Sequence, residues 1–199
     1  MSRKALIIVD VQNDFCPGGA LAVKDGDQVI QPLNQMYNLA TSKGWPIFAS
    51  RDWHPADSSH FKDYGGLWPT HCVAETKGAE FHPELFTGSA IRILKGVNKS
   101  EDGFSAFDGH DSAGRSILQW LHEGEVEELY IGGLATDYCV KATVLDALTF
   151  EFKVFILMDA CRAVNLSPGD GSKAIQEMEE AGVIMTTSEE VLRREYGGR

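Results

Sequence analysis

This chain predicts an α/β fold, a six-stranded parallel sheet with helices on both faces, and three observations carry that expectation. Six short apolar runs of strand length recur along it, at residues 5–9, 46–50, 91–94, 128–131, 153–158 and 183–186. Between several of them apolar residues return at the 3.6-residue spacing of an amphipathic helix. The first run, Ala5-Leu6-Ile7-Ile8-Val9, is continuously apolar and does not alternate, the pattern of a strand buried on both faces. Strands alternating with helices imply right-handed crossovers and a three-layer α/β/α arrangement.

The 199 residues suit one domain, 1–199, with a substantial core. An apolar fraction of 43% with 20 Gly and 7 Pro excludes a low-complexity or disordered chain. A formal charge of -11 argues against nucleic acid and against an anionic membrane surface, which leaves a small molecule as the expected partner. No apolar run approaches the roughly 20 residues that span a bilayer. Because Met1-Ser2-Arg3-Lys4 leads straight into a strand, the expected location is the cytoplasm. Cys16, Cys72, Cys139 and Cys161 stand far apart with no Cys-x-x-Cys pair, so reduced thiols are expected in place of a disulfide scaffold or a thiolate zinc cluster.

In chain order, strand 5–9 delivers Asp10 to its carboxyl end, and the Pro17-Gly18-Gly19 breaker follows. Ile30, Leu33, Met36, Tyr37 and Leu39-Ala40 mark a helix over 28–43, with Gly44 as its C-cap. Strand 46–50 ends at Arg51-Asp52-Trp53-His54-Pro55. Residues 56–89 show no period and form a long loop; Phe61, Tyr64, Trp68 and Phe81 argue that it is ordered, and loops of this length are usually functional. Strand 91–94 ends at Lys95-Gly96, an irregular stretch follows to 111, and a helix is expected over 112–123. Strand 128–131 opens the turn Gly132 to Val140, whose helix runs to about Phe150. Strand 153–158 ends at Asp159-Ala160-Cys161, Ser167-Pro168 starts a helix with Pro at its first position, and after strand 183–186 a last helix begins at Ser188.

Open parallel sheets bind ligands beyond the carboxyl ends of their strands, at a switch in strand order. Asp10, Asp52, Lys95 and Cys139 each follow a strand there. A cysteine at the mouth of a strand-to-helix turn lies near unpaired N–H groups and the positive end of the helix dipole, which favour a thiolate and could hold an oxyanion. Asp10 and Lys95 could move its proton. The structural alternatives are a small residue filling the junction and an Asp10–Lys95 ion pair sealing the strand ends. Asp52 and His54, two apart in an extended segment, project to one side, and His60 and His71 follow. One carboxylate with two or three imidazoles suits zinc, iron or manganese better than calcium; the structural alternative is loop polar groups bonded to backbone. Phe15 and Trp68 are candidate walls of a flat pocket or core residues. His82, His110 and His122 read as surface or structural.

Five stretches in this order, Asp10-Val11-Gln12-Asn13-Asp14-Phe15, Arg51-Asp52-Trp53-His54, Trp68-Pro69-Thr70-His71-Cys72-Val73, Lys95-Gly96 and Gly133-Leu134-Ala135-Thr136-Asp137-Tyr138-Cys139-Val140, resemble the isochorismatase-like cysteine hydrolases, in their nicotinamidase branch. The resemblance covers nearly the whole chain. It implies hydrolysis of nicotinamide, an aromatic amide, to nicotinate and ammonia in NAD salvage, with pyrazinamide also accepted. It implies Cys139 as nucleophile, Asp10 as its base and Lys95 as third member of a triad. The N–H groups of Ala135 and Cys139 would form the oxyanion hole, with a cis peptide before Ala135, and Phe15, Trp68 and Ala135 would contact the substrate. Asp52, His54 and His71 match the family's metal ligands, with His60 at a point where members differ and some use water. Zinc is the first expectation for the ion, ahead of iron and manganese. Two other readings stay beside this one: a hydrolase of the same fold acting on another small amide or a carbamoyl compound, and a binding or redox-sensing protein in which Cys139 reports oxidation. A homo-oligomer is compatible with the sequence, which does not decide the point.

Overall fold

A computed structural model describes residues 3–197; Met1, Ser2, Gly198 and Arg199, the ends of the expected 1–199 domain, lie outside the described residues. Six parallel strands, β1 (Lys4–Val9), β2 (Ile47–Asp52), β3 (Ile91–Lys95), β4 (Glu128–Leu134), β5 (Lys153–Arg162) and β6 (Ile184–Thr186), form one sheet in the order β3-β2-β1-β4-β5-β6. The order reverses between β1 and β4, so the switch point lies where Asp10 and Cys139 leave the sheet.

One face is covered by α1 (Ile30–Lys43) and α5 (Ser188–Tyr196), whose Leu33, Met36, Leu39 and Val191 are buried against Leu6, Ile8 and Tyr130. The other carries α2 (Ile117–Glu123), α3 (Lys141–Thr149) and α4 (Asp170–Glu180), with Ile117, Leu121, Val144 and Met178 packed on Ile7, Phe48 and Ile131. Burying β1 on both sides removes Ala5 to Val9 wholly from solvent, as its unbroken apolar pattern requires.

Element ends follow local chemistry. Gly44 closes α1 with φ 68°, and its N–H caps Ala40 and Thr41 carbonyls. The helix expected from 112 begins at Ile117, because Ser116 and Gln119 form a capping box there while Asp111 ties residues 113 and 115 into a turn. Pro168 is not the first residue of α4, which starts at Asp170 after a left-handed Gly169. Strands β2, β4 and β5 run past their apolar runs to Asp52, Leu134 and Arg162, since ladder hydrogen bonds continue beyond the hydrophobic pattern.

The loop over residues 56–89 is held by pairings of its own. The Phe61–Trp68 bridge and the His54–Val73 bridge fold it back on itself, with Phe61 fully buried. That backbone pairing is what places His60, Trp68 and His71 beside the end of β2.

Candidate active site

Asp10, at the end of β1, takes a left-handed conformation with φ 50° and turns the chain away from β2. Its side chain is fully buried, and Ser50 Oγ donates to Oδ1 at 2.8 Å. Lys95, the last residue of β3, reaches over β2 toward it. Its Nζ donates to Asp52 Oδ1, to the Gly103 carbonyl at 2.6 Å and to Cys139 Sγ at 3.5 Å. Asp10 Oδ2 is buried and lies 2.7 Å from Nζ as an ion pair. One oxygen each of Asp10 and Asp52 and the Cys139 sulfur all lie within 4.8 Å of one another.

Burial is the largest influence on all three triad groups. It pushes the Asp10 carboxyl up to about 6, more than the Lys95 ammonium pulls it down, with Asp52 adding to the rise. Lys95 is raised well above its ordinary value, since Asp10 and Asp52 together outweigh its own desolvation. The Cys139 thiol is also raised well above its ordinary value by burial and by the two carboxylates, against the opposing pull of Lys95. Burial and the two carboxylates thus act against the thiolate that a helix terminus would favour.

Cys139 sits in the turn Thr136–Val140, where the Val140 N–H bonds the Ala135 carbonyl five residues back, a π-type turn. Asp137 anchors this turn by accepting from the Val164 and Asn165 N–H groups, at 2.9 and 2.8 Å. The Leu134–Ala135 peptide is cis, at the position the family resemblance implies.

Beside the triad, His54, His60 and His71 are buried, and one ring nitrogen of each lies within 4.8 Å of the others. Every Nδ1 is already engaged, by the Gly96 carbonyl at 3.1 Å, Asp102 Oδ1 at 2.9 Å and the Pro69 carbonyl at 2.7 Å, so the Nε2 atoms are the ones left to converge. Asp52 Oδ2 lies 3.5 Å from His54 Nε2 and 3.9 Å from His71 Nε2. The Asp52 carboxyl is held well below the usual range, Lys95 and His54 outweighing its burial. Burial lowers His60, and lowers His71 to about 4, which keeps both imidazoles neutral with lone pairs available. His54 Nε2 is buried with no hydrogen-bond partner. A carboxylate and three imidazoles with converging ring nitrogens form the donor set of a divalent metal ion.

Over both clusters lies a small pocket lined by Phe15, Trp68, Ala135, Cys139, His60 and His71, with Leu21, Asp52, Phe104, Tyr138 and Val164. A far larger cleft, between Gln28, Asn34, Asp159 and Glu189, is open and gathers none of the expected site residues, so size is a poor guide here. Every expected site residue is brought to this one region, His60 included. Cys72 is a fully buried core residue whose thiol burial pushes well up, which fits packing.

Sequence reasoning missed several neighbours. Tyr138 packs edge-on against Trp68 at 4.7 Å, and Phe104 faces His60 at 5.6 Å. Gln12, inside the first landmark stretch, receives the Asp52 N–H on Oε1 at 2.8 Å and donates from Nε2 to the Asp52 and Ala79 carbonyls at 2.9 and 3.0 Å. Since β1 has turned away at Asp10, this side-chain amide stands in for the missing strand along Asp52. Asp14 accepts from the Cys72 N–H at 2.7 Å, next to His71. Both residues were in view within a landmark stretch, and only their partners were not.

A cysteine buried against an acid and a lysine at the switch point of a parallel sheet defines a cysteine hydrolase of the α/β class. The isochorismatase domain family matches residues 4–190, and the chain belongs to that family. It is similar to the nicotinamidase of Escherichia coli (strain K12), at 41% identity with 94% of this chain and 96% of that protein covered. Among solved structures it resembles the pyrazinamidase of Pyrococcus horikoshii in complex with zinc, at 40% identity and TM-score 0.85, covering 93% of this chain and 99% of that one. It also resembles the L. infantum protein in complex with nicotinate, at 34% identity and TM-score 0.82, with 94% of each chain covered. Among the described residues no helix is long and apolar enough to cross a membrane.

Proposed function

We propose that this protein hydrolyses nicotinamide to nicotinate and ammonia through a thioester on Cys139, a step of NAD salvage, and that pyrazinamide is a second substrate. The observation that carries the reading is the buried meeting of Asp10 Oδ2, Lys95 Nζ and Cys139 Sγ, with Cys139 also lining an aromatic pocket. The nicotinamidase and pyrazinamidase relatives support the substrate. A cytoplasmic location is supported by four free cysteines, Cys139 among them.

The Asp10 carboxylate, within reach of Sγ, takes the thiol proton as sulfur attacks the amide carbon. The oxyanion rests on the N–H groups of Ala135 and Cys139. Asp10 returns the proton to the amine as the C–N bond breaks and ammonia leaves. Water then attacks the thioester, giving one proton to Asp10, which passes it to the departing sulfur. Lys95 keeps its charge throughout and balances the anion that moves between Asp10 and Cys139. Phe15 and Trp68 flank the pyridine ring.

Asp52, His54, His71 and His60 would hold the divalent ion, which we propose is zinc; when bound it supplies a Lewis-acid anchor for the ring nitrogen. The zinc complex of the Pyrococcus horikoshii pyrazinamidase supports that choice. The reading is tested by ammonia release from nicotinamide, before and after chelation and with zinc, iron or manganese restored. Activity that falls with chelator and returns with metal is expected. A folded protein with Cys139 reduced and no activity in any metal form overturns it in favour of another amide.

A further inference from the structure

The three histidines are oriented by unlike partners. His54 and His71 lean on backbone carbonyls, of Gly96 and Pro69, which no side-chain substitution removes. His60 leans on a carboxylate, Asp102 Oδ1, at 2.9 Å from Nδ1. That carboxylate comes from the 96–103 strap that follows β3, and its side chain is 67% exposed. The strap is tied to the site at several points. Gly96 accepts from His54, Gly103 accepts from Lys95 Nζ at 2.6 Å, and Phe104 lines the pocket. Gly96 and Gly103 both have positive φ, 63° and 64°, and a β-carbon on Gly96 would overlap the His54 ring while one on Gly103 would overlap the Gly96 backbone. The strap thus packs closely on the His54 ring at Gly96 and on itself at Gly103, and Asp102 is delivered to His60 by it.

Resting on the metal reading above, we infer that Asp102 is a positioning residue for the ion: its carboxylate accepts the His60 Nδ1–H and so fixes the tautomer and ring orientation that aim Nε2 at the site. A carboxylate behind a metal-binding imidazole also makes the ring a better donor, and loss of such a partner typically weakens binding by about 10- to 100-fold. Exposure of Asp102 places the expectation at the lower end.

The test is metal affinity, measured on the full chain by competition with a chromophoric chelator for zinc, and the absorption spectrum of the cobalt-substituted protein. Asp102→Ala should weaken zinc by about ten-fold and alter the cobalt bands, with melting temperature unchanged. Asp102→Asn, which keeps an acceptor oxygen without the charge, should lie between. His71→Ala, measured in parallel, should lose the ion. Wild-type affinity and spectrum in Asp102→Ala, with metal lost in His71→Ala, overturns the role of Asp102 and leaves the metal site standing. Wild-type affinity in His71→Ala overturns the metal reading, and this inference with it.

Discussion

The two halves of the site are built differently. Asp10, Lys95 and Cys139 stand at or just beyond strand ends, and each finds its counter-charge within the protein: one ammonium serves Asp10, Asp52 and the cysteine sulfur. The histidine half is assembled on the segment after β2 and the long loop beyond it, and the inward nitrogen of His54 is buried without a hydrogen-bond partner. The first half contains a cation of its own, the Lys95 ammonium. The second offers a donor set for an added one. Asp52 belongs to both, with Oδ1 toward Lys95 and Oδ2 toward the imidazoles. A change in one half should therefore leave the other intact unless it passes through Asp52.

The sharpest separation is Cys139→Ala. Turnover should fall by at least about 10⁴-fold, while zinc affinity stays as in the wild type, read by chelator competition. A parallel loss of metal would mean that the halves are not independent. Gln12→Ala attacks the shared residue through its backbone. It leaves the Asp52 N–H and two carbonyls buried without partners, so a loss of about 3 kcal/mol in denaturant unfolding is expected, together with reduced activity and weaker metal. Unchanged metal affinity would show that Asp52 is held by Lys95 and the ion without help.

A milder break uses pH. Asp10 works as a base only when ionised, and its carboxyl is raised to about 6, so the base form is lost as pH falls through that value. The acid limb of kcat/KM for nicotinamide should have its midpoint near 6, with about a ten-fold loss per pH unit below it. A limb near 4 would mean that burial does not govern Asp10. The smallest expected effect is Ser50→Ala. Removing the donor to Oδ1 disfavours the ionised carboxyl, so the limb should move toward higher pH with kcat at alkaline pH little changed. A limb that stays in place would show that Ser50 only packs.

Strand-end chemistry was readable because a strand's period and its termini are local properties. An unbroken run such as Ala5 to Val9 announces burial on both faces, and the residue after it must stand at the ligand-binding edge of a parallel sheet. The candidate triad and Asp52 were found that way. His60 and His71 were legible as residue types and through a family likeness, since nothing periodic places a loop. Gly103 and Asp102 gave no signal at all; an exposed aspartate in an irregular stretch has no pattern to distinguish it.

What the sequence determined by itself is the alternation of strands and helices, and with it the edge where the polar residues gather, because hydrophobic period dictates which face each residue buries. What only the tertiary structure decided is the state of those residues. Which way the Cys139 thiol is shifted, which oxygen of Asp10 meets Lys95, and which nitrogen of each histidine points inward all depend on desolvation and on partners far along the chain. Lys95 meets Asp10, Asp52 and Cys139 across three different strands, and electrostatic energy depends on that three-dimensional distance, to which spacing along the chain is blind.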